Sequence, residues 1–311
     1  MSTARYPSSE PLVSILVASF NQEEYVIDCL ESIRNLDYPN LELIISDDAS
    51  RDGTFEIARR WIEDHRDRFI RAIAVRQPVN LGIVRHFQYL FDQAQGDFLA
   101  YLASDDCLVP SSIRCRLRVL QEDSSIDAVF GNAEQILEDG SVLKPQFIPP
   151  HLAAQLSDER LLLASLILNW RVPGPVMMLR RDATLQDGSL GRLPEDIHGE
   201  DAYIYMRLAA LHKLRFINEI VAKWRFVRGS SSNPVKRNHF NRRYTMESDR
   251  RLRPMLRGLD RFALNLRIAD SEAVLNPGSR LLSLCKRVFF RTIVMQLRFL
   301  LRLRTVSGGR V

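Results

Sequence analysis

Residues Leu12 to Ser19 read LVSILVAS, an almost unbroken apolar run of strand length. Such a run predicts a strand buried on both faces, as in a parallel sheet covered by helices. Working outward, Val26, Leu30 and Ile33 recur at i, i+4 and i+7, which predicts an amphipathic helix over Glu23 to Asn35. The alternation then repeats: a strand at Leu41 to Ser46, a helix at Thr54 to Arg66, a strand at Ile70 to Arg76, a helix at Ile83 to Ala94 and a strand at Asp97 to Leu102. Strands and helices taken in turn predict β-α-β units with right-handed crossovers. The fold class is therefore α/β, with a mostly parallel central sheet flanked by helices. In open sheets of this class, ligands bind outside the carboxyl ends of the strands. The residues just after Ser19, Ser46 and Leu102 are the places to look for chemistry.

Further along, the pattern predicts a strand at Ile126 to Gln135 and a turn at Asp139-Gly140. Pro145, Pro149 and Pro150 are expected to interrupt regular structure. A helix is expected over Leu156 to Trp170, a buried strand over Pro175 to Leu179, and a helix over Gly199 to His212 with Ile204, Leu208 and Leu211 as its apolar stripe. GSSSNP, Gly229 to Pro234, reads as a polar hinge, with basic helices beyond it.

Each of the strand ends singled out delivers acidic residues. The second is followed by Asp47-Asp48-Ala49-Ser50-Arg51-Asp52-Gly53-Thr54, the fourth by Ser104-Asp105-Asp106-Cys107. Clustered carboxylates repel one another unless a cation or hydrogen-bond donors offset them. Hard oxygen ligands of this kind suit Mg²⁺ or Mn²⁺, which bridge protein carboxylates and substrate phosphates. Asp47 and Asp52 equally suit a turn and a helix N-cap. Asp105-Asp106, between a buried strand and the helix opened by Pro110, points to a functional role.

The motifs, taken in order, resemble those of the GT-A-fold glycosyltransferases of family 2. The likeness covers about Pro11 to Ser232. It is carried by Ala18-Ser19-Phe20-Asn21 ahead of a Tyr25-bearing helix, the Asp47 to Thr54 block, Asn80-Leu81-Gly82, Gly96-Asp97, the S-D-D form of a D-x-D-type motif at Ser104 to Asp106, and Gly199-Glu200-Asp201 opening a helix. The resemblance implies an inverting, metal-dependent transfer of a sugar from a nucleotide-sugar, a UDP-sugar first, to a hydroxyl acceptor on a glycan or lipid-linked oligosaccharide. In that reading Asp48 meets the base, and Ala18 and Phe20 line the nucleotide pocket. Asp105 contacts the donor sugar or ribose, Asp106 ligates a divalent cation (Mn²⁺ or Mg²⁺), and Asp201 is the general base. Glu200 and Asp201 also suit the first turn of a helix, where the macrodipole favours acidic residues. Where many relatives carry an aromatic-Arg-x-His pattern, this chain has Trp224-Arg225-Phe226-Val227, with Val227 in place of the His. Arg225 or Arg228 then becomes the expected contact to the diphosphate. His86 stands where Asn is commoner and receives no role.

The 311 residues, 46% apolar and 26% charged, suffice for one large domain with a smaller appendage. The expected organisation is a flexible N-terminus (1–10), a GT-A domain (11–232) with a nucleotide-binding half (11–110) and an acceptor half (111–232), and a basic helical C-terminal extension (233–311). The four cysteines lack C-x-x-C spacing and read as reduced thiols. No apolar run reaches membrane-spanning length, and residues 1–10 lack the apolar stretch of a signal peptide. A cytoplasmic location is expected. The net charge of +5 conceals an asymmetry: after Val235 there are 18 Lys and Arg against 5 Asp and Glu. Arg280, Arg287, Arg291, Arg298 and Arg302 share one helical face opposite Leu282, Phe289, Ile293, Leu297 and Leu300. That stripe fits either an anionic membrane surface, at the inner face of the plasma membrane, or docking on the catalytic body. A sugar-nucleotide nucleotidyltransferase, whose first strand leads into a Gly-rich phosphate loop, is disfavoured by Ala18-Ser19-Phe20-Asn21-Gln22. A non-catalytic sugar-binding or nucleic-acid-binding protein is the remaining rival, with no nucleic acid expected as partner, because aromatics interleaved with basic residues are sparse and the body is acidic.

Overall fold

The computed structural model describes residues 10–185, 188–189, 193–194, 197, 200–227 and 240–275, with single positions at 293, 296 and 297. The expected hinge at 229–234, Arg228, and nearly all of the arginine-striped stretch at 280–302 lie outside the described residues. The chain divides into two compact units. The first comprises Met1–Phe147, Val172–Glu195 and Lys213–Phe226, the second Ile148–Arg171, Asp196–His212 and Val227–Val311. Both are discontinuous in sequence.

The first unit begins with β1 (Val13–Ser19), α1 (Val26–Arg34), β2 (Leu41–Asp47), α2 (Thr54–His65), β3 (Arg71–Arg76), α3 (Ile83–Gln93) and β4 (Phe98–Ala103). All seven elements fall within a few residues of the sequence expectation. The apolar runs become strands because both faces are covered: Val13, Ile15 and Val17 of β1 and Leu41, Leu43 and Ile44 of β2 are fully buried. Each such side chain contributes roughly 1.5 to 3 kcal/mol. α3 packs on β1 and β2 through Val84, Phe87 and Leu90.

Next come β5 (Cys107–Leu108), α4 (Ser112–Glu122), β6 (Ala128–Ile136) and β7 (Val142–Lys144). β6 and β7 form a hairpin whose turn includes Gly140 at φ +82°, as the Asp139-Gly140 pair predicts. The second unit opens with α5 (Pro150–Ser157) and α6 (Glu159–Leu168). The single helix expected over Leu156 to Trp170 is therefore two. Asp158 leaves helical geometry at φ −88°, ψ 111° and uses its side chain to accept from the Arg160 N–H, which starts α6. Pro149 and Pro150 initiate α5 instead of interrupting structure, because proline fits the first helical position, where its missing N–H costs nothing.

The chain returns to the first unit with β8 (Met177–Arg180), β9 (Thr184–Leu185) and β10 (Gly188–Ser189), enters the second with α7 (Glu200–Ala210), and re-enters the first with β11 (Leu214–Arg225). α8 (Phe240–Leu252) and α9 (Gly258–Leu275) complete the second unit. There α6 is buried along Leu161 to Leu168, and Arg267 of α9 pairs with Asp249 of α8 through two hydrogen bonds.

Among the described residues one large sheet has the order β3-β2-β1-β4-β8-β6-β11-β5, with β7 beside β6. β3, β2, β1 and β4 are parallel neighbours, as expected. Beyond β4 the sheet is mixed: β8 runs antiparallel to β4 and β6, β6 and β11 are parallel, and β5 is antiparallel to β11. No helix among the described residues is long and apolar enough to cross a membrane.

Candidate functional site

The carboxyl ends of β1, β2 and β4 come together because their registers align: Ala18 is paired with Ser46 on one side and Ala103 on the other. The three loops that follow are stitched by hydrogen bonds. Asn21, at φ +53°, donates its N–H to Ser50 Oγ at 2.8 Å, and its side-chain oxygen accepts from the Arg51 N–H at 2.9 Å. The Gln22 N–H donates to Thr54 Oγ1 at 2.8 Å, and Glu23 accepts from the Gly53 N–H at 2.7 Å. Phe20, at 44% exposure, is left on the surface of this loop.

Within the second acidic block the roles divide. Asp47 is buried and caps its own turn, accepting from the Ser50 N–H and hydroxyl. Asp52 accepts from the Thr54 N–H and hydroxyl at the start of α2 and from the Glu23 N–H. Asp48 is also buried. Its Oδ1 accepts from the Leu81 N–H at 2.7 Å and its Oδ2 from the Gly82 N–H at 3.1 Å. The loop Asn80-Leu81-Gly82 is thus bound to the end of β2, and each carboxylate oxygen keeps a further lone pair. His86, on the first turns of α3, is buried with Nε2 unpartnered among the described residues. Burial pulls its pKa down, against the pull of Asp48 and Asp47 upward.

The turn between β4 and β5 carries Asp105 and Asp106. The Ser104 N–H donates to the Ala18 carbonyl and the Asp106 N–H to the Ala103 carbonyl. Asp105 is half-buried and receives Gln22 Nε2 at 3.4 Å. Asp106 is 3% exposed, with Oδ1 accepting from the Arg225 N–H at 2.9 Å. Burial raises both carboxyls above the ordinary range, and raises the more deeply buried Asp106 further, with the charge of Asp105 adding to it; Arg225 opposes both effects.

Arg225 ends β11, and its side chain turns inward. Nε donates to the Asp105 carbonyl at 2.9 Å, Nη1 to the carbonyls of Leu137 and Glu138 at 3.3 and 2.9 Å, and Nη2 to Asp28 on α1 at 3.0 Å. The guanidinium lies 4.9 Å from the centre of the Tyr25 ring. Of the residues expected to serve the donor and the cation, Ala18, Phe20, Asp48, Asp105, Asp106 and Arg225 thus all belong to the first unit, on its strand ends and the loops after them. The sequence reading of Arg225 missed its partners, which lie 87 to 197 residues away.

A divalent cation fits this turn. Asp106 Oδ2 has no hydrogen-bond partner among the described residues, and the charge of the Asp105-Asp106 pair is opposed by the Arg225 guanidinium and by the Gln22 amide on Asp105. No group of three His, Cys, Asp or Glu that could hold a metal occurs among the described residues. Asp106 would therefore hold the ion as one hard oxygen ligand, with phosphate oxygens and water as further ligands.

Asp201 belongs to the second unit, in the first turn of α7, and its Oδ1 accepts from the Ala202 N–H at 2.6 Å. Glu200 beside it is buried, with Oε2 unpartnered among the described residues. Burial, and then the charge of Asp201, push the Glu200 carboxyl up to about 8.

Comparison with known proteins agrees with this architecture. EpsH of Bacillus subtilis (strain 168) is 35% identical over 130 residues, 42% of this chain, and the chondroitin synthase of Pasteurella multocida (strain Pm70) is 24% identical over 235 residues, 74% of this chain. The chain spans only 36% and 22% of those proteins' lengths. Among solved structures, S. aureus TarS 1-349 in complex with UDP-GlcNAc aligns over 92% of this chain and 81% of its own, with a TM-score of 0.61 at 18% identity. The mannosyltransferase PcManGT of Pyrobaculum calidifontis, in complex with GDP-Man and Mn²⁺, aligns over 97% of this chain and 89% of its own, with a TM-score of 0.59 at 16% identity. These likenesses show a GT-A fold. The family model described as Glycosyl transferase family 2 matches residues 14–184, more than half of the sequence, and the chain belongs to that family.

Proposed function

We propose that this protein transfers a sugar from a nucleoside-diphosphate sugar to a hydroxyl acceptor with inversion at the anomeric carbon. The observation that carries the reading is the turn after β4, where a buried carboxylate keeps one oxygen open beside loops that end the parallel strands. Asp106 would hold Mn²⁺ or Mg²⁺, and Asp105 would face the donor's ribose or sugar. The cation, when bound, stabilises the charge that develops on the diphosphate leaving group. Asp48 holds the Asn80 to Gly82 loop and has lone pairs left to accept from a base such as uracil. Asp201 takes the proton of the attacking hydroxyl, a step for which a positioned carboxylate is suited. A single displacement of this kind needs no carboxylate nucleophile. A UDP-sugar is the first donor to test, since a UDP-sugar and a GDP-sugar are each bound by a structural neighbour. The chondroitin synthase among the relatives supports a growing glycan as acceptor.

Turnover of a panel of UDP- and GDP-sugars with Mn²⁺ tests this reading beside Asp106→Ala and Asp201→Asn. Asp106→Ala should raise the donor KM and the metal requirement; Asp201→Asn should lower kcat by about 10² to 10⁴ while leaving nucleotide affinity near wild type. Wild-type rates in both variants would remove the mechanism.

Attachment to an anionic membrane surface belongs to the same reading. It is supported by Leu259 and Phe262, 39% and 47% exposed at the start of α9, among the exposed Arg253, Arg257 and Arg261.

A further inference from the structure

We infer that Arg225 is a positioning residue, which fixes the turn bearing Asp105 and Asp106 and does not itself bind the donor. The inference rests on reading that turn as the donor-diphosphate site. An arginine that recognises a diphosphate presents its planar fork to the phosphate oxygens. Here the fork is already occupied: Nε by the Asp105 carbonyl, Nη1 by the Leu137 and Glu138 carbonyls, Nη2 by Asp28. The side chain keeps 2% exposure, with the Tyr25 ring 4.9 Å from the guanidinium. Three of its four acceptors are main-chain oxygens, which a rotamer change cannot withdraw.

The clamp joins four segments: α1 through Asp28, the acidic turn through Asp105, the β6–β7 turn through Leu137 and Glu138, and β11, which carries the arginine. The Arg225 N–H adds a fifth tie, to Asp106 Oδ1. The register of β11 against β6, with Arg225 opposite Ile136, therefore decides where Asp106 stands and leaves Oδ2 as its open oxygen. Lysine could not replace this geometry, because a single ammonium cannot reach acceptors spread around a planar fork.

Asp28 separates positioning from direct donor contact. Its side chain is 60% exposed, so its substitution should leave the fold intact. If Arg225 bound the diphosphate, releasing it from Asp28 would leave nucleotide affinity unchanged or tighter. If Arg225 positions the acidic turn, Asp28→Asn loosens the clamp. Titration calorimetry of UDP, or of GDP where only that nucleotide binds the wild type, should then show binding about tenfold weaker in Mn²⁺, the scale of losing an outer-shell partner. Binding in EDTA should be unchanged, and Asp28→Glu should restore the Mn²⁺-dependent affinity. Arg225→Lys should lose about a hundredfold in the same measurement, and in turnover both losses should fall on donor KM more than on kcat. Equal or tighter Mn²⁺-dependent binding by Asp28→Asn overturns the inference. A wild-type protein that binds neither nucleotide in Mn²⁺ removes the donor-site reading itself, and the inference with it.

Discussion

Glu200 carries a carboxyl into the interior of its unit, where Oε2 finds no partner among the described residues. Desolvation is the first cause and the negative charge of Asp201 the second, and together they lift the group to about 8 from an ordinary value of 4.5. In the window between those two values the unfolded chain releases a proton that the native state keeps. Native stability therefore falls as pH rises through that window and levels off above it. The full change is on the order of a few kcal/mol. Glu200→Gln removes the titration, so the melting temperature of the variant minus that of the wild type should grow by several degrees between pH 5 and pH 8.5, at about 2 to 4 °C per kcal/mol. A difference that stays constant means that Glu200 is ionised and satisfied in the native protein. At this scale the sequence was informative where chemistry is local. Asp105 and Asp106 stood out because an acidic pair follows a buried strand. The partners of Arg225 could not be read, because Asp28 precedes it by 197 residues and no spacing rule connects them.

Among the described elements, β11 is the longest strand that sequence patterning left without an assignment. Its twelve residues, LRFINEIVAKWR, pass irregularly between buried and exposed along their length, and its pairing with β6 shifts register between Phe216 and Ile220 and again between Ile220 and Ala222. Such irregularity erases the period-2 signal that marks a strand. β1, β2 and β4, largely buried and regularly paired, had a signal that composition alone could carry, whereas the edge strand β3 is only half-buried. The close approach of β6 to β11 depends on Gly131. A Cβ there would lie 2.6 Å from Val221 Cγ1 and 2.9 Å from the Glu219 carbonyl, inside contact distance. Gly131→Ala should therefore cost about 1 to 3 kcal/mol by overpacking, read as a lower urea midpoint with an unchanged slope. Because β11 also delivers Arg225 to the acidic turn, the same variant should weaken Mn²⁺-dependent nucleotide binding. Gly258→Ala, at the start of α9 in the second unit, provides the comparison. Among the described residues nothing lies within 4 Å of its added Cβ, and strain at φ +52° is its penalty, so stability should fall without that effect on binding.

Over the whole molecule the charge is divided: residues up to Val235 carry 25 Lys and Arg against 33 Asp and Glu, and the remainder is strongly basic. The part of that basic remainder described in α8 and α9 includes an apolar pair, Leu259 and Phe262, exposed beside Arg253, Arg257 and Arg261. Apolar side chains flanked by arginines match an anionic bilayer interface in both respects: the rings and branches enter the acyl boundary, and each cation near the surface adds about 1 kcal/mol. Sedimentation with phosphatidylglycerol-containing vesicles should carry the protein down, whereas phosphatidylcholine vesicles should not. Salt at about 0.5 M should release much of it, since screening at that strength is nearly complete beyond a few ångströms. The double variant Leu259→Ser/Phe262→Ser removes apolar area that is already exposed, so its melting temperature should match the wild type while its vesicle binding drops. Removal of residues 280–311 tests the arginine-striped stretch separately. If that truncation abolishes binding and the double variant binds like the wild type, attachment belongs to the C-terminal segment alone and α9 takes no part in it. Sedimentation with neither kind of vesicle excludes a role for either, and equal sedimentation with both excludes the arginines as its cause.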